Sequence, residues 1–433
     1  MPRYASHRAG EPNTRNARRA GRRTIAGRLA RGEGGIQGNV HQLTQTPVLA
    51  SGRVYLDHAA TTPVRPEVVA RMAQVLASFG NPSSVHGEGR AARRILEDAR
   101  TLLADTLGVD PDGITFTSGG TEANDLALGA AAGRPVLVGA TEHASVLEAV
   151  PEAPRIPVGP DGLIDMATLA EVLAEHRPGL VSVMLVNNET GVVQDIKRLA
   201  AEVRAAGALL HVDAVQAFGK LPDVTLAALG CDLLTVSAHK IGGPQGVGAL
   251  AARPGLVLPA RLRGGGQEGR RRAGTHNLPG IAGFAQAIRL LDPLEPTRLL
   301  GLRHRLEARL LAGLADAGAD AAIAGDAAPR APHITTLILP GRPAELQVIR
   351  LDLAGIAVSA GAACSSGKVQ ASHVLQAMGL GALAGCALRL SLGWSSTEAE
   401  VDRAADAITG LHRPAGAGAG VALPLPNGMT VAT

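Results

Sequence analysis

Short, continuously apolar segments alternate with amphipathic helical segments through the middle of this 433-residue chain. The apolar runs predict strands at residues 114–117, 135–139, 180–186, 208–212 and 233–236. Strands that are apolar on both faces are typical of a buried parallel sheet. Several of these runs are separated by helical patterns, at residues 91–107, 166–176 and 196–206. This alternation predicts an α/β fold with a layered, mostly parallel sheet.

A helical pattern at residues 279–292 leads into a second region with its own strands and helices. The strands are expected at 334–339 and 387–392, and the helices at 299–317, 343–354 and 372–378.

Residues 1–50 are rich in arginine and glycine and lack apolar periodicity, which favours a disordered tail. A transit peptide and translation from a misplaced start are the alternatives. Residues 413–433 have low complexity and are expected to be a second disordered tail.

Composition narrows the class of protein. Much of the positive charge behind the formal net charge of +4 lies before residue 32, and aromatic residues are only 2% of the chain, so we expect no nucleic-acid binding. No run of about 18 apolar residues occurs, so we expect no membrane span. Three cysteines, Cys231, Cys364 and Cys386, are too few for a disulfide framework, which favours a reducing cytoplasm with free thiols.

Polar residues follow each of the five predicted strands at the point where the strand ends. After the first strand, the turn at 118–122 contains two glycines and opens a helix, a combination that suits an anion. The next four strands run into polar groups at 141–143, 187–189, 211–213 and 237–240. Ligands of open parallel sheets bind at this edge. Taken alone, Asp213 could cap a helix and His143 could be an ordinary surface histidine.

Lys240 is the most informative of these residues, because the chain has only four lysines and this one ends an apolar strand. Lysine is rarely buried unless it is paired or functional, and a desolvated lysine can form a Schiff base with an aldehyde. A carboxylate such as Asp213 would keep a pyridine nitrogen protonated, and Thr121, Ser237 and His239 would bind a phosphate. Together these groups indicate pyridoxal 5′-phosphate as the cofactor.

The motifs around these residues resemble those of the class V aminotransferase-like family, and within it the NifS-like cysteine desulfurases. The matching stretches keep the family's order from about residue 53 to 412. They are YLDHAATTP (55–63), FGNPSS (79–84), SGGTE (118–122), TEH (141–143), VNNE (186–189), HVDAVQ (211–216), SAHK (237–240), RAGT (272–275), SAGAACSSG (359–367) and LRLSLG (388–393).

The resemblance implies a role for each residue around the cofactor ring. Lys240 would be the lysine that binds the cofactor and later carries protons. Asp213 would pair with the pyridine nitrogen, and Gln216 would face the phenolic oxygen. His143 would stack on the ring and relay protons. Asn188 would also contact the cofactor.

It also implies which groups bind the phosphate and the substrate. The phosphate would be bound by Gly120, Thr121, Ser237 and His239, with Thr275 reaching in from the partner subunit of a homodimer. The substrate carboxylate of L-cysteine would be bound by Asn188 and Arg389, and the planar guanidinium suits that anion.

The fold implied by the resemblance is the type I fold of pyridoxal-phosphate-dependent transferases. A large, mostly parallel seven-stranded sheet domain would be accompanied by a smaller α+β domain. The expected segments are a tail at 1–50, an entry segment of the small domain at 51–65, the large domain at 66–292, the small domain at 293–412 and a tail at 413–433.

Cys364 distinguishes the desulfurases from other enzymes on this scaffold. It lies in a run of small residues, 359–367, which reads as a loop rather than a core element. A thiolate there can take sulfur from a bound substrate as a persulfide. Cys231 and Cys386 are interpreted as small apolar residues that only fill space. The loop resembles that of the long-loop group, whose arm passes sulfur to an iron–sulfur scaffold or another acceptor protein. We expect no resident metal, with Cys364 as a transient iron–sulfur ligand shared with such a scaffold.

Three mild departures from the family pattern leave these residues in place. His58 stands where tyrosine is common, Ala238 where glycine is frequent, and Gln370-Ala371 replaces a more usual acid–proline pair. The sequence leaves open a selenocysteine lyase and a class V aminotransferase for small substrates. It also leaves open a non-enzymatic binding protein.

Overall fold

The computed structural model of the protein describes residues 52–361 and 371–412. In these ranges the strands are β1 (Val54–Tyr55), β2 (Ile114–Thr117), β3 (Val136–Gly139), β4 (Arg155–Ile156), β5 (Leu180–Met184), β6 (Leu209–Asp213), β7 (Leu233–Ser237), β8 (Gly248–Ala252), β9 (Ala322–Ile323), β10 (Ile334–Ile338), β11 (Ile356–Ala357) and β12 (Ala387–Ser391). The α-helices are α1 (Pro66–Leu76), α2 (Gly87–Leu107), α3 (Gly120–Leu128), α4 (Ala144–Leu147), α5 (Met166–His176), α6 (Ile196–Ala205), α7 (Leu226–Leu229), α8 (Leu278–Arg289), α9 (Glu295–Asp316), α10 (Ala344–Leu353), α11 (His373–Ala377) and α12 (Glu398–Gly410).

Seven strands form the central sheet, in the order β2-β8-β7-β6-β5-β3-β4. Strand β8 runs antiparallel to both of its neighbours, and every other pair in the sheet is parallel. The predicted mostly parallel sheet is therefore confirmed, and all five predicted strands belong to it. Strand β8 was not predicted, because its sequence GALAA consists mainly of small residues with low strand propensity.

The strand order brings five carboxyl ends together. Because β8 is antiparallel to both β2 and β7, strand β2 points in the same direction as β7 and the rest of the sheet. Strands β2, β3, β5, β6 and β7 therefore all end at one side, which we call the carboxyl edge. The polar residues that follow these strands in the sequence are collected there, as the sequence predicted.

Two smaller sheets involve the C-terminal part of the chain. Strands β12, β10 and β9 form an antiparallel sheet, and β1 pairs in parallel with β11 through Val54 and Ile356. Just after β1, Asp57 bridges to Ser391 at the end of β12. The residues after β1 thus continue from the C-terminal elements toward the carboxyl edge. The domain limits expected from the sequence remain a prediction.

Apolar packing holds these sheets and helices together. The main cluster covers the central sheet with side chains from α1, α2, α6 and α8, among them the fully buried Leu103, Leu210 and Phe284. A second cluster packs α9 and α12 against the C-terminal strands through residues such as Leu306 and Ile408. Complete burial of one such side chain stabilises the fold by about 2 kcal/mol relative to leaving it exposed.

Side-chain capping explains where two of the helices begin. Asp165 precedes α5 and accepts hydrogen bonds from the backbone N–H groups of Ala167 and Thr168. Thr397 and Glu400 form a reciprocal capping box at the start of α12. Within the two described ranges, none of the helices has both the length and the apolar character needed to cross a membrane.

Candidate active site

Lys240 lies in the short turn after β7, at the carboxyl edge. Its Nζ donates hydrogen bonds to the carbonyl oxygens of Ala59 at 2.5 Å and Ala60 at 2.7 Å. Burial and, after it, the nearby charge of Arg389 lower the pKa of Lys240 to about 8, against the opposing charges of Asp57 and Asp213. An amine with this pKa is partly neutral near physiological pH and can act as a nucleophile or base.

Gln216 and Lys240 both form a hydrogen bond to the carbonyl oxygen of Ala59. Gln216 Nε2 donates to the Ala59 oxygen at 2.8 Å, and its Oε1 lies 3.4 Å from Nε2 of His333. Gln216 and His333 are both buried. The segment after β1 therefore places one backbone oxygen between two predicted site residues, Lys240 and Gln216.

The carboxylate of Asp213, at the end of β6, is buried and held by two donors. Asn124 on α3 donates from Nδ2 at 2.8 Å, and the backbone N–H of Val215 donates at 2.9 Å. Asn124 was not predicted as a site residue. Its only sequence signal is a polar side chain within the buried stretch of a helix, and the contact depends on how α3 packs against β6.

The same Asn124 nitrogen connects Asp213 to His143. It donates to Ser145 Oγ at 2.9 Å, and Ser145 Oγ lies 2.8 Å from His143 Nδ1. The backbone N–H of Ser145 donates to Nδ1 at 3.1 Å, so Nδ1 is the acceptor and neutral His143 carries its proton on Nε2. More than a third of His143 is accessible to solvent, yet the surrounding protein lowers its pKa by desolvation, against the opposing charge of Asp213.

An anion-binding corner lies where β2 passes into α3. Helix α3 starts after Gly119, and in the described structure no side chain caps this end, which leaves its first N–H groups available to an anion. Ser237 Oγ is buried and has no hydrogen-bond partner among the described residues. A Cβ added to Gly120 would lie 3.9 Å from the Ser237 Cβ, which makes the two residues neighbours.

The remaining predicted phosphate ligands lie in different settings. Thr121 is exposed in the first turn of α3. His239 Nδ1 lies 3.2 Å from Thr61 Oγ1, and burial, assisted by the charge of Lys240, lowers the pKa of His239 to about 4. His239 is therefore neutral at physiological pH and can donate a hydrogen bond without adding charge.

Arg389 on β12 reaches the carboxyl edge from the C-terminal sheet. Its Nη2 donates to Asp57 at 2.8 Å, and its Nη1 donates to the carbonyl oxygen of Asn188 at 3.1 Å. Arg389 is buried, and its Nε has no partner among the described residues. Asp57 was missed by the sequence interpretation, because only the fold brings it to β12. The structure thus joins the two predicted substrate ligands, Asn188 and Arg389.

The structure does not join Thr275 to this group. Thr275 is exposed, and no hydrogen bond within the described ranges links its side chain to the carboxyl edge. Cys364 lies outside the described residues.

Cys231 is buried, and desolvation raises the pKa of its thiol to about 12. Such a thiol is protonated and unreactive at neutral pH, as expected for a filler.

These groups fit a ring-bearing phosphate ester with an aldehyde. The helix start at Gly120 and the unpartnered Ser237 hydroxyl offer an anion site, Asp213 offers a held carboxylate, and Lys240 offers an amine of lowered pKa. Phosphate, a protonated ring nitrogen and an aldehyde are the groups of pyridoxal phosphate that need these partners. Among the described residues, no cluster of three or more His, Cys, Asp or Glu side chains could bind a metal ion.

Comparison with known proteins shows the family to which the chain belongs. Residues 54–404 match the class-V aminotransferase family, and the chain belongs to this family. It groups there with the NifS-like cysteine desulfurases, as the motifs predicted. A cysteine desulfurase from Cereibacter sphaeroides is 42% identical over 367 residues, which cover 81% of this chain and 93% of the relative.

Two further similarities support the assignment. The IscS-like cysteine desulfurase of Mycobacterium tuberculosis is 39% identical over 82% of this chain and 95% of its own length. The crystal structure of a NifS-like protein from Rickettsia africae superposes with a TM-score of 0.77 at 34% identity, over 83% of this chain and 99% of that protein. The predicted fold class is therefore confirmed.

Proposed function

We propose that this protein is a pyridoxal-phosphate-dependent cysteine desulfurase, which converts L-cysteine to L-alanine and takes the sulfur onto Cys364 as a persulfide. The observation that carries the proposal is the arrangement at the carboxyl edge. An amine of lowered pKa, Lys240, lies on the same edge as the held carboxylate of Asp213 and the buried guanidinium of Arg389. The relatives named cysteine desulfurase support the choice of substrate.

The cofactor would be bound along the carboxyl edge by the residues expected from the sequence. Asp213 would bind the ring nitrogen, Gln216 the phenolic oxygen and His143 the ring face, with Asn188 beside it. The phosphate ligands would be Gly120, Thr121, Ser237 and His239, and Thr275 of the partner subunit. When bound, the cofactor supplies an aldehyde for Lys240 and a ring that withdraws electrons from the substrate.

Substrate orientation falls to Arg389 and Asn188. The Arg389 guanidinium is already oriented by Asp57 and by the Asn188 carbonyl, so its ordering costs little when a carboxylate arrives. The unpartnered Nε is a further donor in this buried position. With its α-carboxylate bound to Arg389 and Asn188, the substrate would direct its amine and Cα toward Lys240.

Proton transfer falls to Lys240 and His143. With a pKa of about 8, the Lys240 amine can give up its proton near neutral pH and then accept one from the substrate Cα. His143 keeps an unprotonated Nδ1 toward Ser145 and a donor Nε2, which suits a proton relay.

The remaining step, sulfur transfer, needs the enzyme's thiolate. Cys364 Sγ bonds to the substrate sulfur, the Cβ–S bond breaks, and its electron pair stays on Cβ, which takes up a proton. Return of a proton to Cα then completes alanine.

The proposal extends to partners and location. If Thr275 of one subunit binds the cofactor of the other, the active enzyme is a homodimer. An acceptor protein, such as an iron–sulfur cluster scaffold, would remove sulfur from Cys364, and relatives named IscS-like support a sulfur-donor role. The low count of three cysteines fits a cytoplasmic, reducing environment.

A product assay of the purified protein with L-cysteine and a reductant tests the proposed function. We expect yellow protein and equal amounts of alanine and sulfide. A keto acid product would instead indicate an aminotransferase, and activity confined to L-selenocysteine would indicate a selenocysteine lyase. A colourless protein that does not take up pyridoxal phosphate would contradict the proposal.

A further inference from the structure

His333 is a buried histidine directly before β10, and the proposed function does not use it. Its carbonyl oxygen accepts a hydrogen bond from the backbone N–H of Leu392, just after β12, at 2.8 Å. Two residues earlier, the N–H of Ala331 donates to the carbonyl oxygen of Gly191 at 2.7 Å. Gly191 belongs to the turn that also carries Asn188. The backbone around His333 is therefore held both by the C-terminal sheet and by a turn at the carboxyl edge.

The hydrogen bonds around Gln216 determine which way its side-chain amide points. The carbonyl oxygen of Ala59 can only accept, so the Gln216 atom that lies 2.8 Å from it is the nitrogen, Nε2. The amide oxygen, Oε1, then faces His333 and lies 3.4 Å from Nε2 of the imidazole. Because Oε1 can also only accept, His333 Nε2 carries the proton of this contact. A flipped amide would instead bring two oxygens together at Ala59.

The surroundings of His333 keep its ring neutral. The pKa of His333 is held well below 6.5 by burial, the largest cause, and then by the charges of Lys220, His58, Arg303 and Lys240. A neutral imidazole has a single N–H, so a proton on Nε2 leaves Nδ1 as a bare acceptor. His333 Nδ1 has no hydrogen-bond partner among the described residues, so no group there favours the alternative tautomer.

We infer that His333 is a positioning residue for Gln216, which binds the amide oxygen and so keeps the amide nitrogen toward the cofactor. Gln216 Nε2 has two N–H groups, and the Ala59 carbonyl accepts from one of them. The second N–H is then available to the phenolic oxygen of pyridoxal phosphate, whereas a flipped amide would present one acceptor to another. The inference rests on the proposed function and adds a residue that lies outside every sequence motif.

Substitutions of His333 in the full-length protein test the inference through the bound cofactor itself. His333→Leu removes the donor, so the Gln216 amide loses its preferred orientation. We expect the dissociation constant for pyridoxal phosphate to rise about tenfold or more, the usual cost of losing a hydrogen bond to a charged group. The visible absorbance maximum should also shift, because the phenolic oxygen loses a donor. His333→Gln supplies an N–H in place of the ring Nε2 and should restore both values.

A second buried histidine provides the matched control. His412 Nε2 lies 3.2 Å from Oε1 of Gln347 on α10, and His412 Nδ1 likewise has no partner among the described residues. His412→Leu therefore removes the same kind of contact from the C-terminal part of the chain. It should change the melting temperature and leave both cofactor measurements at the parental values. If His333→Leu does not fold, His333→Met carries the same expectations, because its flexible side chain adapts to the space without offering a donor.

A double-mutant cycle shows whether His333 acts through Gln216. In the Gln216→Ala background, His333→Leu should cause no further loss of cofactor affinity. Additive losses would overturn the inference, as would parental affinity and absorbance in His333→Leu. An equal loss of affinity in His412→Leu would also overturn it, since the role would then be structural. A parent protein that takes up no pyridoxal phosphate would contradict the proposed function and this inference together, whereas the other contrary results overturn the inference alone.

Discussion

Asn124 donates a hydrogen bond of 2.8 Å to the carboxylate of Asp213, and the same nitrogen donates to Ser145, the partner of His143. The two residues that we propose for the ring nitrogen and the ring face are therefore oriented by one buried amide. The oxygen of the same side-chain amide, Asn124 Oδ1, has no partner among the described residues. A helix residue outside every motif thus sets the geometry of two residues inside them.

Asn124→Ala should weaken cofactor binding. The substitution leaves Asp213 with one donor fewer in a buried position and frees Ser145 to rotate. The loss of a hydrogen bond to a charged group costs about 1.5–3 kcal/mol. We expect the dissociation constant for pyridoxal phosphate, measured by absorbance titration, to rise by about tenfold or more. The matched control is Asn277→Ala, which removes the cap of α8 and should lower stability while leaving cofactor affinity unchanged. Parental affinity in Asn124→Ala would show that the amide is not needed.

Lys240→Ala should abolish covalent attachment of the cofactor. Among the described residues, Lys240 is the lysine at the carboxyl edge, and its lowered pKa makes it the nucleophilic amine. After borohydride treatment and digestion, we expect labelled peptide from the parent and from Lys197→Ala, an exposed lysine on α6, and none from Lys240→Ala. Label retained on another peptide of the Lys240→Ala chain would refute the assignment.

His211 should make the apoprotein sensitive to acid. It is fully buried between Ser182 and Thr235, at 2.9 and 3.0 Å, and burial lowers its pKa from 6.5 to about 4. The unfolded chain binds the proton more readily than the folded chain. Stability contributed by neutral His211 is therefore present above pH 6.5 and is lost as the pH falls toward 4, by on the order of 2–3 kcal/mol.

The measurement is the free energy of unfolding in urea at pH 7.5 and pH 4.5. His211→Gln keeps a polar side chain without a titrating group, so its loss between the two pH values should be smaller than that of the parent. His86→Gln, at an exposed position, should behave like the parent. An identical pH dependence in the parent and His211→Gln would rule out this contribution.

Much of the central sheet was predictable, because its strands are continuous apolar runs whose buried character is visible in the sequence. Strand β2 and helix α5 have the predicted bounds, and Asp165 supplies the cap that marks the start of α5. That His143, Asp213 and Lys240 lie at one edge could be predicted from the parallel sheet alone, because each of them lies at the carboxyl end of a strand. Their roles toward the cofactor came from the family resemblance and remain proposals.

The residues that support the site were not predictable in the same way. Asn124 and Asp57 act through contacts to residues that are distant in the sequence, and each contact depends on how a helix or strand packs. Strand β8 was missed for a related reason, since its small residues are stabilised by the strands on both sides rather than by their own propensity. Local patterns report burial and capping, whereas these pairings are set by the tertiary structure.

The most direct test of the account is the single-turnover behaviour of Cys364→Ala. The steps that precede attack on sulfur require Lys240 and the cofactor but no thiol of the enzyme. The variant should therefore bind pyridoxal phosphate and change its absorbance with L-cysteine, yet release no sulfide when reductant is added. Cys231→Ala and Cys386→Ala are the matched controls and should release sulfide like the parent. The account is contradicted if Cys364→Ala releases sulfide at close to the parental rate while replacement of Cys231 or Cys386 abolishes it.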